Sequence, residues 1–184
     1  EELEWERLQE KLDDNEWRQR GIKLYKKLCK IEPREPRYKR SLAKLLMSAG
    51  RDEKTRKFNY MEAERLFNDV LELFGSGDHA LKANYYIEAH YRLGCIKYIH
   101  KKYDEAVRYF KIVLEADAPT KDLLIKTLCY CGAAYISLGE KEKGRDCFRR
   151  ARDMVTDGEY STFLEMEYTV HVAITENKPF ILYS

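Results

Sequence analysis

Four histidines (His79, His90, His100, His171) and five cysteines (Cys29, Cys95, Cys129, Cys131, Cys147) are the side chains of this 184-residue chain best suited to metal binding or nucleophilic catalysis. Their spacing supports neither. No two histidines form an H-E-x-x-H pair, which would set two imidazoles on one helical face. The cysteines are odd in number and contain no C-x-x-C; Cys129 and Cys131, two apart on a helix, point to different faces and share poor geometry for a metal. They fall among apolar residues, where a free thiol behaves as a small hydrophobe, and so imply a reducing, cytoplasmic location. Gly75-Ser-Gly77 has the glycines of a phosphate loop but neither the following Lys-Ser/Thr nor a preceding strand, and it reads as a turn. The expectation is therefore no catalytic residue, no metal, no cofactor, and no enzymatic activity.

Charge offers more. Residues 1–16 carry eight acids (Glu1, Glu2, Glu4, Glu6, Glu10, Asp13, Asp14, Glu16) against Arg7 and Lys11, whereas residues 18–57 carry fifteen bases against Glu32, Glu35, Asp52 and Glu53. The net charge of +2 hides this polarity, which points to partners rather than to chemistry. Charged residues make up 36% of the chain and no apolar run approaches the roughly 20 residues of a membrane span, so no membrane partner is expected. The chain opens Glu-Glu-Leu-Glu, without an initiating Met or a basic apolar leader, and reads as an excised or processed domain.

The elements that must carry these residues are helices. Apolar residues recur at helical spacing nearly throughout, and a longer period overlies it. Leu8-Gln9, Leu42-Ala43, Leu93-Gly94 and Cys131-Gly132 are pairs on first helices; Gly21/Tyr25, Ala63/Phe67, Ala106/Phe110 and Gly144/Phe148 are small–aromatic pairs on second helices. The two small positions are 12, 20, 12 and 12 residues apart, and the aromatic always follows 4 later. Small residues on both helices allow their backbones to approach, and the aromatic fills the space beside them. The eight extra residues of the second unit are expected in its turn, as the polar run 51–59.

This pattern resembles the tetratricopeptide repeat family. Trp5, Leu8, Leu12, Gly21, Tyr25, Leu28 and Pro33 match its motif in the first unit; Tyr60, Ala63 and Phe67 in the second; Leu93, Gly94, Tyr103, Ala106, Phe110 and Pro119 in the third; Gly132, Tyr135, Gly139, Gly144, Phe148 and Ala151 in the fourth. Gln9 departs from the small first-helix position, and Lys39, His90 and Leu128 from the aromatic seen at Trp5. The resemblance implies an all-α fold, a superhelical array of antiparallel helical hairpins within a single domain over 1–175. Its repeats would span about 2–35, 36–77, 79–120 and 121–158, with a capping helix at about 159–175 and an apolar tail over 176–184.

In such arrays the first helices line a concave groove. Carried over position by position, the resemblance implies that Arg37, Arg40, Ser41, Lys44 and Met47, then Glu88, Tyr91, Arg92, Cys95 and Tyr98, then Lys126, Cys129, Tyr130 and Ala133 face it, with Glu6, Arg7, Glu10 and Asp13 at the start. The expected function is a protein–protein interaction scaffold or adaptor, whose basic and aromatic groove takes a peptide or helix bearing acidic and apolar side chains. The places where some family members clamp a chaperone's terminal carboxylate hold Glu6, Glu10, Ser41, Glu88 and Arg92, of which only Arg92 conforms, so that ligand is not expected. Two alternatives remain open. One is nucleic-acid binding through the basic 18–57 segment, and the other is self-association through the acidic start or the apolar tail.

Overall fold

A computed structural model describes residues 14–49, 53–74, 80–116 and 119–155. Among these the chain is all-helical: α1 (Asp14–Ile31), α2 (Pro36–Ser48), α3 (Glu53–Phe74), α4 (Ala80–Ile99), α5 (Tyr103–Leu114), α6 (Lys121–Ser137) and α7 (Lys141–Asp153). No described helix is long and apolar enough to cross a membrane. The expected first helix of the first repeat, the capping helix and the tail lie outside the described residues. The chain divides into two compact units, Glu1–Asp78 and His79–Ser184.

In the first unit α2 packs against both α1 and α3. Pro36 opens α2, where its missing N–H costs nothing, and the Glu35 side chain accepts from the Arg37 N–H at 3.1 Å. Leu42, Ala43 and Leu46 bury the inner face of α2. Across from them lie Ala63, Phe67 and Val70 of α3, fully buried. Lys39 of α2 reaches Asp69 of α3 at 2.8 Å, and Lys26 of α1 reaches Glu62 of α3 at 3.2 Å. Lys39 stands at a position expected to hold an aromatic, and this ion pair explains how its charge is accommodated there.

The extra residues of this unit are not a loop. α3 begins ten residues before Ala63, whereas α5 and α7 begin only three before Ala106 and Gly144. Most of the insertion is additional helix, since Glu53-Lys-Thr-Arg-Lys contains no breaker and Lys, Arg and Glu all favour helix.

In the second unit α4, α5, α6 and α7 pack each on the next, and α4 also touches α6. The turn between α4 and α5 is three residues long, with Lys101 in the left-handed region at φ 60°. Lys97 and Glu105 bridge it at 3.0 Å. Thr120 caps α6, its hydroxyl accepting from the Leu123 N–H at 3.3 Å.

Close approach organises both hairpins. A Cβ on Gly94 would stand 2.5 Å from Phe110 Cε1, so the ring of α5 lies directly on the α4 backbone. Between α6 and α7 two glycines meet: a Cβ on Gly144 would be 2.9 Å from the Gly132 carbonyl oxygen, and one on Gly132 would be 3.1 Å from that of Gly144. Gly94→Ala should therefore lower stability by about 1–3 kcal/mol in urea unfolding, the range for overpacking a tight core. Adding Phe110→Leu should recover part of that loss; an unchanged unfolding midpoint in Gly94→Ala would show the contact to be slack.

Candidate functional site

In the first unit, Arg37, Arg40, Lys44 and Met47 recur at three- and four-residue spacing and share one face of α2, away from buried Leu42, Ala43 and Leu46. They differ in exposure and in the contacts they make. Arg37 is engaged by its neighbour: its Nε donates to Glu35 Oε1 at 2.8 Å and its Nη2 to Oε2 at 3.3 Å. Those charge-assisted bonds hold the Glu35 carboxyl below its usual range, chiefly through the guanidinium, against a small opposing effect of burial. Arg40 and Met47 are half-buried, and Lys44 is exposed. Three side chains thus form an outward stripe with an aliphatic end, and the fourth fastens the start of its own helix.

In the second unit the tyrosines expected on a groove wall lie inside. Tyr91, Tyr98 and Tyr130 are 4%, 5% and 3% exposed. Their rings build an aromatic cluster across α4, α5 and α6: Tyr91 meets Tyr130 edge-on at 6.0 Å, Tyr98 meets it at 5.7 Å, and Phe110 stacks on it at 5.9 Å. The physical reason is volume. Gly94 and Gly132 remove side chains from the helix crossings, and neighbouring rings fill the space between first helices. The hydroxyls are provided for: Tyr91 hydrogen bonds Cys95, and Tyr98 hydrogen bonds Ser137. Cys95 and Cys129 are buried in the same region.

Burial sets the titration of this cluster. It pushes the Cys95 thiol up to about 12, against the lowering influence of the Arg92 charge and the Tyr91 hydrogen bond. It also pushes Tyr98 up to about 12, with Tyr103 adding to the rise. His90, 5% exposed between Tyr86 and Tyr109, is lowered by burial, though its Nδ1 lies 2.9 Å from the Tyr86 carbonyl oxygen. It is a packed neutral ring. Among the described residues no three His, Cys, Asp or Glu side chains gather as a metal site.

The remaining expected residues of this unit are charged and half-buried. Arg92 and Glu88 pair within α4 at 3.7 Å, and Arg92 lies over the Tyr91 ring at 5.4 Å. Lys126 pairs with Asp122 within α6 at 3.0 Å. Arg92 carries an unusual feature: its Nε–H is buried and meets no acceptor among the described residues. The Arg92 side chain is 20% exposed, and its Nη2, on the same edge as Nε, stands 3.7 Å from Glu88 Oε1. Burying Nε costs desolvation without a compensating bond, while the exposed part of the guanidinium can still meet a carboxylate. The burial of this atom was not legible in the sequence, because it depends on how the side chain packs over the ring of Tyr91.

Sequence reasoning also missed two residues. Phe58 and Met61 of α3 are 63% and 58% exposed, although both lie on a helix whose other apolar side chains are largely buried. The available signal was their spacing of three inside a basic run, outside the register of the repeat.

Comparison with protein-family models and with curated proteins returned no match for this chain.

Burial of the tyrosines has a pH signature. In the unfolded chain the thiol and the phenol ionise near 9.0 and 10.0, whereas the folded Cys95 and Tyr98 hold their protons to about 12. Above about pH 9 the unfolded state therefore binds fewer protons than the native state, and stability must fall as pH rises toward 12. Urea midpoints measured at increasing pH should decline across this window, and Tyr98→Phe should flatten the decline between about 10 and 12. A midpoint constant over that window would place Tyr98 in solvent.

Proposed function

We propose that this chain is a protein-interaction scaffold of the tetratricopeptide type, binding a partner segment through carboxylates that meet Arg92 of α4; the cationic face of α2, in the other unit, is a separate candidate surface of like chemistry. The observation that carries the reading is the partly exposed Arg92 guanidinium, which stands 3.7 Å from Glu88, beyond hydrogen-bond distance, and so keeps capacity for a second carboxylate. A guanidinium takes carboxylates in charge-assisted hydrogen bonds, so a partner's Asp or Glu suits its exposed part. The Arg40, Lys44 and Met47 stripe offers matching chemistry, two cations beside a flexible thioether that adapts to apolar side chains.

The repeat reading rests on the spacing of the small and aromatic residues and on the packing of each described helix against the next within its unit. Aromatic recognition is not part of the proposal, because Tyr91, Tyr98 and Tyr130 are packing residues. The partner segment is accordingly acidic with interspersed aliphatic side chains, and its affinity should weaken with salt.

Affinity capture with the whole chain, followed by mass spectrometry, tests this. Arg40→Glu with Lys44→Glu should weaken the captured partner by about tenfold, mostly through slower association at low salt. Arg92→Gln should weaken it by about tenfold or more through faster dissociation, because a carboxylate would be left against a neutral amide. Circular dichroism should be unchanged in both. Capture that survives either replacement at full strength would remove that face from binding.

A further inference from the structure

The second docking surface lies on the helical insertion at the start of α3. The Asn59 Nδ2 donates to the Ala49 carbonyl oxygen at 2.8 Å, which fixes the C-terminal end of α2 beside residue 59. α2 ends at Ser48, so α3 runs past it by residues 53–58, about one and a half turns. All six of these residues are exposed, and burial begins only at Asn59 and Tyr60. A helix end that extends past its packing partner gains nothing from the core.

Its composition makes that extension less stable still. Lys54, Arg56 and Lys57 crowd the first turns with only Glu53 of opposite sign. Cations at this end of a helix oppose the macrodipole, at a cost of about 0.3–1 kcal/mol each at an exposed site. The three make no ion pair among the described residues, unlike Lys26 and Arg65 of the same unit, which pair with Glu62 and Asp69. Beside them Phe58 and Met61 are 63% and 58% exposed at a spacing of three, and so share one face. Lys54 and Arg65 stand four residues to either side on that face. The result is a protruding stripe, cation–Phe–Met–cation, flanked by Lys57.

We infer that this stripe docks an acidic amphipathic segment of a partner protein, with its carboxylates against Lys54, Lys57 and Arg65 and its apolar side chains over Phe58 and Met61. Charge complementarity selects the acid. The apolar pair selects a polypeptide over a phosphate backbone: two adjacent side chains along a helix match the i, i+3 anchors by which amphipathic helices are read, and Met re-packs to suit them. Three cations would also release few counterions from a nucleic acid, giving it only a weak hold. This surface belongs to α3 and is separate from the α2 stripe and from Arg92.

A fluorescein-labelled peptide of roughly 15 residues, composed of Glu, Asp, Leu and Phe with the apolar residues at helical spacing, is the probe. Anisotropy with the whole chain should show saturable binding that weakens with salt. Lys54→Glu with Lys57→Glu should reduce affinity by about tenfold or more, and Phe58→Ser with Met61→Ser by about tenfold. These side chains are exposed, so helicity should persist, and circular dichroism checks it. Poly-glutamate of equal length should bind more weakly than the probe. The inference is overturned by any of four results: no binding of the probe, equal binding of poly-glutamate, tighter binding of a single-stranded oligonucleotide of similar length, or a loss confined to Arg40→Glu with Lys44→Glu.

Discussion

Close contact between helix backbones and side chains at the hairpin crossings governs the rest of this molecule. Where Phe110 lies on Gly94 and Gly132 meets Gly144, there is no room for a Cβ, and helices so joined have little freedom in register. Removing side chains there leaves volume beside the crossing, and rings fill it. Tyr91, Tyr98, Phe110 and Tyr130 are the consequence, a cluster in which first helices α4 and α6 touch through their aromatic residues. The same packing holds Arg92 against Tyr91 and leaves its Nε–H without an acceptor among the described residues. Packing and recognition are therefore linked through one side chain.

The helices were legible because their signal is periodic and repeated. A small residue with an aromatic four positions later, four times over, needs no tertiary information to be recognised. The insertion was legible only in length. Its polarity reads as a turn, yet Glu53-Lys-Thr-Arg-Lys is composed of residues that accept a helix, and with no breaker the helix simply begins earlier. Pattern located the extra residues; propensity decided what they became.

The candidate site was legible by charge and illegible by burial. Arg40, Lys44 and Arg92 are cations that the family resemblance, carried over position by position, puts on the groove-facing sides of their helices. The tyrosines share those faces, but a tyrosine is as suited to a core as to a wall, and its position depends on the volume of residues far away in sequence. Tyr91 faces Tyr130, thirty-nine residues on, and no local window contains that fact. Lys39 and Asp69 make the same point for charge: a lysine at an aromatic position looks like a fault until its partner, thirty residues later, is known.

The central claim is that a partner's carboxylate completes the Arg92 guanidinium. A double-mutant cycle tests it directly, pairing Arg92→Gln with alanine replacement of each acidic residue in the captured partner segment. One acidic residue should couple to Arg92 by about 1.5 kcal/mol or more, the range for a close charge pair across an interface. Coupling near zero for every acidic residue would contradict the account.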